Sequence, residues 1–275
     1  MRILSNTSVR IIVSLIAIPV LLTLAYLGNW YFTLLVLIIN LLSFYEFGKL
    51  SEAKGARINM IWGMFGIITI LINKFVYKAE SVFTIISLWF LILILIELYR
   101  KKGSSLLNIG STTFGFFFFS LSGFSLIGIR EIFSASASEY SNGAFMIFAI
   151  LGTIWICDSA AFFGGTKFGK HKLFPRVSPN KSWEGAIFGF LASILSMILF
   201  KVLLLDFISF ESAILISLII GTLGQIGDLI ESLLKRDAGI KDSSNLIPGH
   251  GGVFDRFDSL FFASPFIYFY LLYSL

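Results

Sequence analysis

IPGHGGVFDRFDSLFFASPFIYFYLLYSL, residues 247–275, joins two kinds of chain that rarely meet. Its first half holds a His, two Asp and an Arg around three glycines. Its second half, from Ser259 onward, is an apolar run of about the length that crosses a bilayer, roughly 17–25 residues. Backbone polar groups in hydrocarbon must be satisfied internally, so such a run is read as a helix. The rest of the chain supports that reading. Its 275 residues are 57% hydrophobic and 13% charged, and the mean hydropathy is +0.90. A soluble domain carries roughly 45–50% apolar and 25% charged residues. The 31 Phe, densest in TTFGFFFFSLSGF (112–124), suit a membrane core. The alternating dyads of a transmembrane β-barrel are absent. The single Cys157 lies in an apolar run and excludes both an internal disulfide framework and a cysteine metal cluster.

Nine candidate spans follow: residues 10–27, 30–45, 59–76, 82–98, 108–127, 144–163, 185–204, 213–229 and 259–275. Arg2 and Arg10 precede the first, and no small-x-small cleavage site follows it, so a retained span is expected. With the N-terminus cytoplasmic, all of the 21 Lys and Arg except Lys74, Lys78, Arg130 and Lys201 fall on the cytoplasmic side, as the positive-inside rule requires. The expected fold is an all-α polytopic integral membrane protein with about nine transmembrane helices and its C-terminus on the opposite side. Residues 1–140 would form about five N-terminal membrane helices. Residues 141–275 would form the catalytic region, with four spans and two long cytoplasmic loops. The net charge of +5 is mostly topology, and no nucleic-acid partner is expected.

Two carboxylates lie within or at the edge of the apolar layer, Asp158 in TIWICDSAAFF and Asp228 in GTLGQIGDLIESLLKR. A charge there costs roughly 2.5–3.5 kcal/mol on insertion scales, so it faces a partner or a wet cavity. Gln225, Asp228, Ser232 and Lys235 recur at helical spacing and line one face, with Arg236 four residues after Ser232. Asp255 and Asp258 are three apart at the start of the last helix. Carboxylates converging from two helices suit a hard cation such as Mg²⁺. Lys235, Arg236, Lys241 and Arg256 supply positive charge, and Gly249, Gly251 and Gly252 let the backbone approach a ligand closely. That mixture points to phosphate-bearing substrates. The loop GGTKFGKHKLFPRVSPNKSWEG (164–185) repeats it with Lys167, Lys170, Lys172, Arg176 and Lys181. Within that loop Ser182 is placed to cap the seventh helix, and Glu184 suits its first turn; a catalytic Glu184 is equally open.

The series Ser232, Lys235, Arg236, Lys241, Asp242, Pro248, Gly249, His250, Gly251, Gly252, Asp255, Arg256 and Asp258 resembles the pattern of the phosphatidate cytidylyltransferases, also called CDP-diacylglycerol synthases. SPNKSWEG (178–185) and the stretch 158–169 are similar to that family as well. The first 140 residues share only their helical, apolar character. The resemblance implies that CTP and phosphatidic acid give CDP-diacylglycerol and pyrophosphate. It also implies Mg²⁺ dependence, with a second cation left open, a homodimer, and a site on the cytoplasmic side of the plasma (inner) membrane. On that basis Asp228 and Asp255 are metal ligands, with Asp258 a weaker candidate. Lys235, Arg236, Lys241 and Arg256 contact phosphates. Ser178, Lys181 and Ser182 contact nucleotide or headgroup, and Asp158 completes the polar cavity. His250 binds phosphate or shapes its loop, and Asp242 pairs with a neighbouring cation. Two rival readings are a CTP-dependent polyprenol- or phytol-type lipid kinase and an ion-coupled transporter using Asp158 and Asp228. The first half of the chain lacks the matching broken helices that a transporter built of repeats would carry.

Overall fold

The candidate spans lie on helices, to within a residue at their ends, in the computed structural model, which describes residues 6–240, 243–244, 246–249 and 251–274. The helices are α1 (Asn6–Leu27), α2 (Asn29–Ala53), α3 (Met60–Val76), α4 (Val82–Leu98), α5 (Ser105–Glu131), α6 (Tyr140–Phe168), α7 (Trp183–Leu203), α8 (Phe210–Ile219), α9 (Gln225–Asp237) and α10 (Phe254–Ser274). A π-helical turn, Ile220–Gly224, joins α8 to α9, so they form one continuous run. Among the described residues, six helical runs are long and apolar enough to cross a membrane, and α3 and α4 are shorter apolar helices. Leu15, Ile61, Phe83, Leu106 and Leu195 point their large apolar side chains outward, a surface suited to hydrocarbon rather than water.

Two features depart from expectation. The second span, expected to end at 45, continues as helix to Ala53. Glu46, Gly48 and Ser51 in that extension are buried, so packing sustains the helix where the apolar pattern stops. The long loop expected after α6 contains an antiparallel hairpin of β1 (Lys172–Phe174) and β2 (Ser178–Ser182), pairing Lys172 with Ser182 and Phe174 with Ser178. Its turn is closed by Val177 N–H donating to Phe174 O at 3.1 Å, with Pro175 in the second position, where its fixed φ favours a tight turn.

The chain packs as two compact units. One comprises the chain up to Gly128 with Leu234–Phe257; the other comprises Ile129–Leu233 with the chain from Asp258 onward. Both α9 and α10 are therefore divided between the units.

In the first unit, α2 to α5 close around aromatic rings. Phe44, Phe116 and Phe119 are fully buried, and Trp89 stacks on Phe116 with ring centroids 3.7 Å apart. The Phe run is thus a core as well as a lipid surface, since Phe117 between two buried rings is exposed. Gly63, Gly66 and Gly115 make room for it, because a Cβ at any of them would strike Phe44, Trp89 or Phe47. Trp62 and Trp89 each donate their indole N–H to the other's carbonyl, at 3.0 and 2.9 Å.

The second unit centres on the α6–α7 pair. A Cβ at Gly185 would meet Ala161 O at 2.7 Å, and one at Gly189 would meet Ala161 Cβ and Cys157 O at 3.0 Å. Small residues four apart let helix backbones approach in lipid. Gly185→Leu is expected to force the helices apart and destabilise the protein by about 1–3 kcal/mol, the usual penalty for overpacking. Thermal unfolding in detergent would measure it. Arg130, an exception to the loop-charge rule, is wholly buried. Its guanidinium lies 4.2 Å from the Tyr140 ring centroid and donates to Tyr140 O at 3.2 Å. It is a packing residue rather than a loop charge.

Candidate functional site

In the second unit, carboxylate oxygens of Asp228, Glu231 and Asp258 all lie within 4.8 Å of one another. Asp228 and Glu231 are three apart on α9, so they share a face, and Asp258 enters from α10. The approach of these two helices is set by Gly227: a Cβ there would meet Asp258 O and Phe262 Cβ at 2.7 Å. The π turn just before α9 is anchored by Gln225, whose side-chain N–H₂ donates to Gly221 O at 2.6 Å and to Ala186 O on α7 at 3.1 Å. Gly221 leaves space for Ser193, whose hydroxyl donates to Ser217 O at 3.1 Å. Glu231 is buried, whereas the Asp228 side chain keeps 36% of its exposure.

Lys181 on β2 reaches this cluster, its Nζ 2.5 Å from Asp228 Oδ2. Asp228, Asp158 and Lys181 all bear electrostatically on Asp258. The structure thus brings together Asp158, Lys181, Asp228 and Asp258 from four separate stretches of the sequence, and adds Glu231, which sequence reasoning missed. Glu231 stands one helical turn after Asp228, beside residues already singled out for their spacing, and that position was the available signal.

Other expected residues of this unit have local partners. Ser182 accepts a hydrogen bond from Gly185 N–H at 3.2 Å, the N-cap that its place before α7 suggests. Glu184 holds the preceding loop. Its carboxylate accepts from Lys170 N at 3.1 Å and His171 N at 3.2 Å, and lies 2.7 Å from His171 Nδ1. Ser178 opens β2 and is half-buried. Ser232 lies on α9, half-buried.

The first unit holds the rest of the motif. Lys235 Nζ pairs with Asp255 Oδ1 at 2.7 Å, with side chains only 13% and 6% exposed. The other oxygen of Asp255 accepts from Gly252 N at 2.8 Å, Ser243 N at 3.2 Å and Ser243 Oγ at 3.0 Å. Ile247 and Gly251 form a bridge around Gly249 and Gly251, with φ of 73° and 86°, a region that glycine enters freely. Arg10 donates from Nε to Gly249 O at 2.5 Å. Arg236 and Arg256 are exposed. Asp255 and Asp228, expected together on one metal, belong to different units. Lys241, Asp242 and His250 lie outside the described residues.

This set of charges on apolar helices is accompanied by a clear relationship. A cytidylyltransferase family model matches residues 8–274, and the chain belongs to that family. A phosphatidate cytidylyltransferase of Bacillus subtilis (strain 168) is 31% identical over 266 residues, covering 95% of this chain and 96% of its own. One from Brucella suis biovar 1 is 32% identical over 268 residues, covering 96% and 93%. One from Haemophilus influenzae is 44% identical over a shorter region of 134 residues, 47% of this chain and 46% of its own.

Proposed function

We propose that the protein transfers a cytidylyl group from CTP to phosphatidic acid, forming CDP-diacylglycerol and pyrophosphate in phospholipid biosynthesis. Family membership and the names of the relatives support this reading. The observation that carries it is the convergence of Asp228, Glu231 and Asp258 within 4.8 Å beside Lys181. Three acids against one ammonium leave a formal excess of negative charge, which a divalent cation complements. The donors are all carboxylate oxygens, the chemistry that suits Mg²⁺ rather than zinc. Asp228, Glu231 and Asp258 would hold the ion, while Asp255 keeps its ion pair with Lys235 within the first unit. A bound Mg²⁺ supplies Lewis-acid stabilisation of charge on phosphate oxygens.

In the proposed reaction a phosphate oxygen of phosphatidic acid attacks the α-phosphorus of CTP. A new P–O bond forms, the bond from the α-phosphorus to the β-bridging oxygen breaks, and its electron pair leaves with pyrophosphate. The attacking oxygen is already anionic, so no strong general base is needed. The residues of the chain hold two highly charged partners in line and neutralise their repulsion. Lys181 is placed to neutralise a phosphate oxygen, and Lys235, Arg236 and Arg256 carry the same task in the other half of the motif. Nine crossings with a cytoplasmic N-terminus, a site facing the cytoplasm of the inner membrane and a homodimeric assembly complete the proposal; the distribution of basic residues supports the orientation.

Purified protein in detergent, given CTP, Mg²⁺ and phosphatidic acid, is expected to release pyrophosphate in step with CDP-diacylglycerol. Release of CDP instead would identify a lipid kinase. Absence of both products would revive the transporter reading.

A further inference from the structure

Glu46 is a fully buried carboxylate on α2, in the half of the chain that carries none of the motif. Four donors from the motif end of the chain reach it, one of them the Ser243 hydroxyl, whose single proton is shared with Asp255. Val253 N and Phe254 N donate to its two oxygens at 2.9 and 2.7 Å. Ser244 Oγ and Ser243 Oγ donate at 2.5 and 3.0 Å. The first N–H groups of a helix lack partners within it, and a carboxylate there is favoured by both hydrogen bonding and the helix dipole. Glu46 therefore caps the start of α10 from a distant point in the sequence. Gly252 is required for this arrangement, since a Cβ there would strike Ser243 Oγ and the Glu46 carboxylate.

The capped segment leads directly to Asp255. Ser243 Oγ is 3.0 Å from Glu46 Oε2 and 3.0 Å from Asp255 Oδ2, so one hydroxyl spans two carboxylates. Gly252 N and Ser243 N, which hold the same Asp255 oxygen, belong to the segments that Glu46 pins. We propose that Glu46 is a positioning residue for the proposed reaction: by fixing Ser243, Ser244 and the first turn of α10 it sets the orientation of Asp255 and, through it, of Lys235. The role rests on the proposed function only where activity is concerned; the clamp itself is a matter of hydrogen bonding.

The test uses full-length protein in detergent, with Glu46→Gln as the first variant. A carboxamide presents one acceptor where four donors converge, so its N–H₂ end opposes two of them. Two readouts are needed. The first is amide hydrogen exchange of peptides covering residues 243–256, measured without nucleotide or metal. Exchange at Val253 and Phe254 is expected to quicken about tenfold or more, because those bonds hold the segment closed. The second is pyrophosphate release at saturating CTP and phosphatidic acid. Here kcat per folded molecule is expected to fall about 10–100-fold, the scale of one or two lost hydrogen bonds to a charged group, with KM for CTP within about twofold. Unchanged exchange at Val253 and Phe254 would overturn the clamp. Normal kcat per folded molecule would overturn the positioning role. If Glu46→Gln fails to insert, Ser243→Ala removes only the bridging hydroxyl and is expected to lower kcat about tenfold; normal turnover in that variant would overturn the proposal. Lack of pyrophosphate release by the unaltered protein would strike the proposed function and leave the exchange result to judge the clamp.

Discussion

Asp228→Asn is expected to lower pyrophosphate release by roughly a thousandfold while leaving the protein folded and in the membrane. Electrostatic stabilisation of transferring phosphoryl groups amounts to several kcal/mol, and each 1.4 kcal/mol is a factor of ten. The Asp228 side chain is partly exposed, so an amide of the same size fits. Its loss leaves Lys181 with a neutral partner and the cluster with two acids in place of three. A metal titration separates this from simple misfolding: the concentration of Mg²⁺ needed for half-maximal residual activity should rise steeply. Near-normal activity at ordinary Mg²⁺ would refute the assignment of this cluster.

The second large effect is expected at Asp255. Its carboxylate is nearly buried, bound on one oxygen to Lys235 and on the other to three donors. In Asp255→Asn the amide N–H₂ must oppose either the ammonium or those donors, since it cannot accept. Removing one partner of a buried ion pair costs about 3–5 kcal/mol. Turnover is therefore expected to become undetectable, with a lower unfolding midpoint. Lys235→Met in the same background should recover part of the stability and none of the activity. Recovery of activity in the double variant would show that Asp255 serves only to neutralise Lys235.

The contrast between these two residues shows what the sequence could reveal. Spacing on one helix placed Asp228 on a polar face, and the run of apolar blocks located the helices, though it stopped α2 eight residues short and read α8 and α9 as one span. Such features are local, and periodicity carries them. Partners across the fold were not legible in the same way. Nothing near Asp255 in the chain indicates that its loop is held by Glu46, some 200 positions earlier, or that Lys181 lies against Asp228. Glu46 did carry a signal: a carboxylate inside the apolar FYEFG stretch is as costly there as Asp158 or Asp228 in their own runs. The hairpin at 172–182 escaped because its strands are short and polar, and its register depends on a Pro-containing turn rather than on alternation.

The π turn between α8 and α9 sets where the acids of α9 face. A regular α-helix advances 100° per residue, so one extra residue in a single turn resets the azimuth of everything after it. Leu218, before that turn, and Glu231, beyond it, therefore lie at azimuths that an unbroken α-helix would not give them. Without the extra residue the same acids would be swung about 100° away from Asp258.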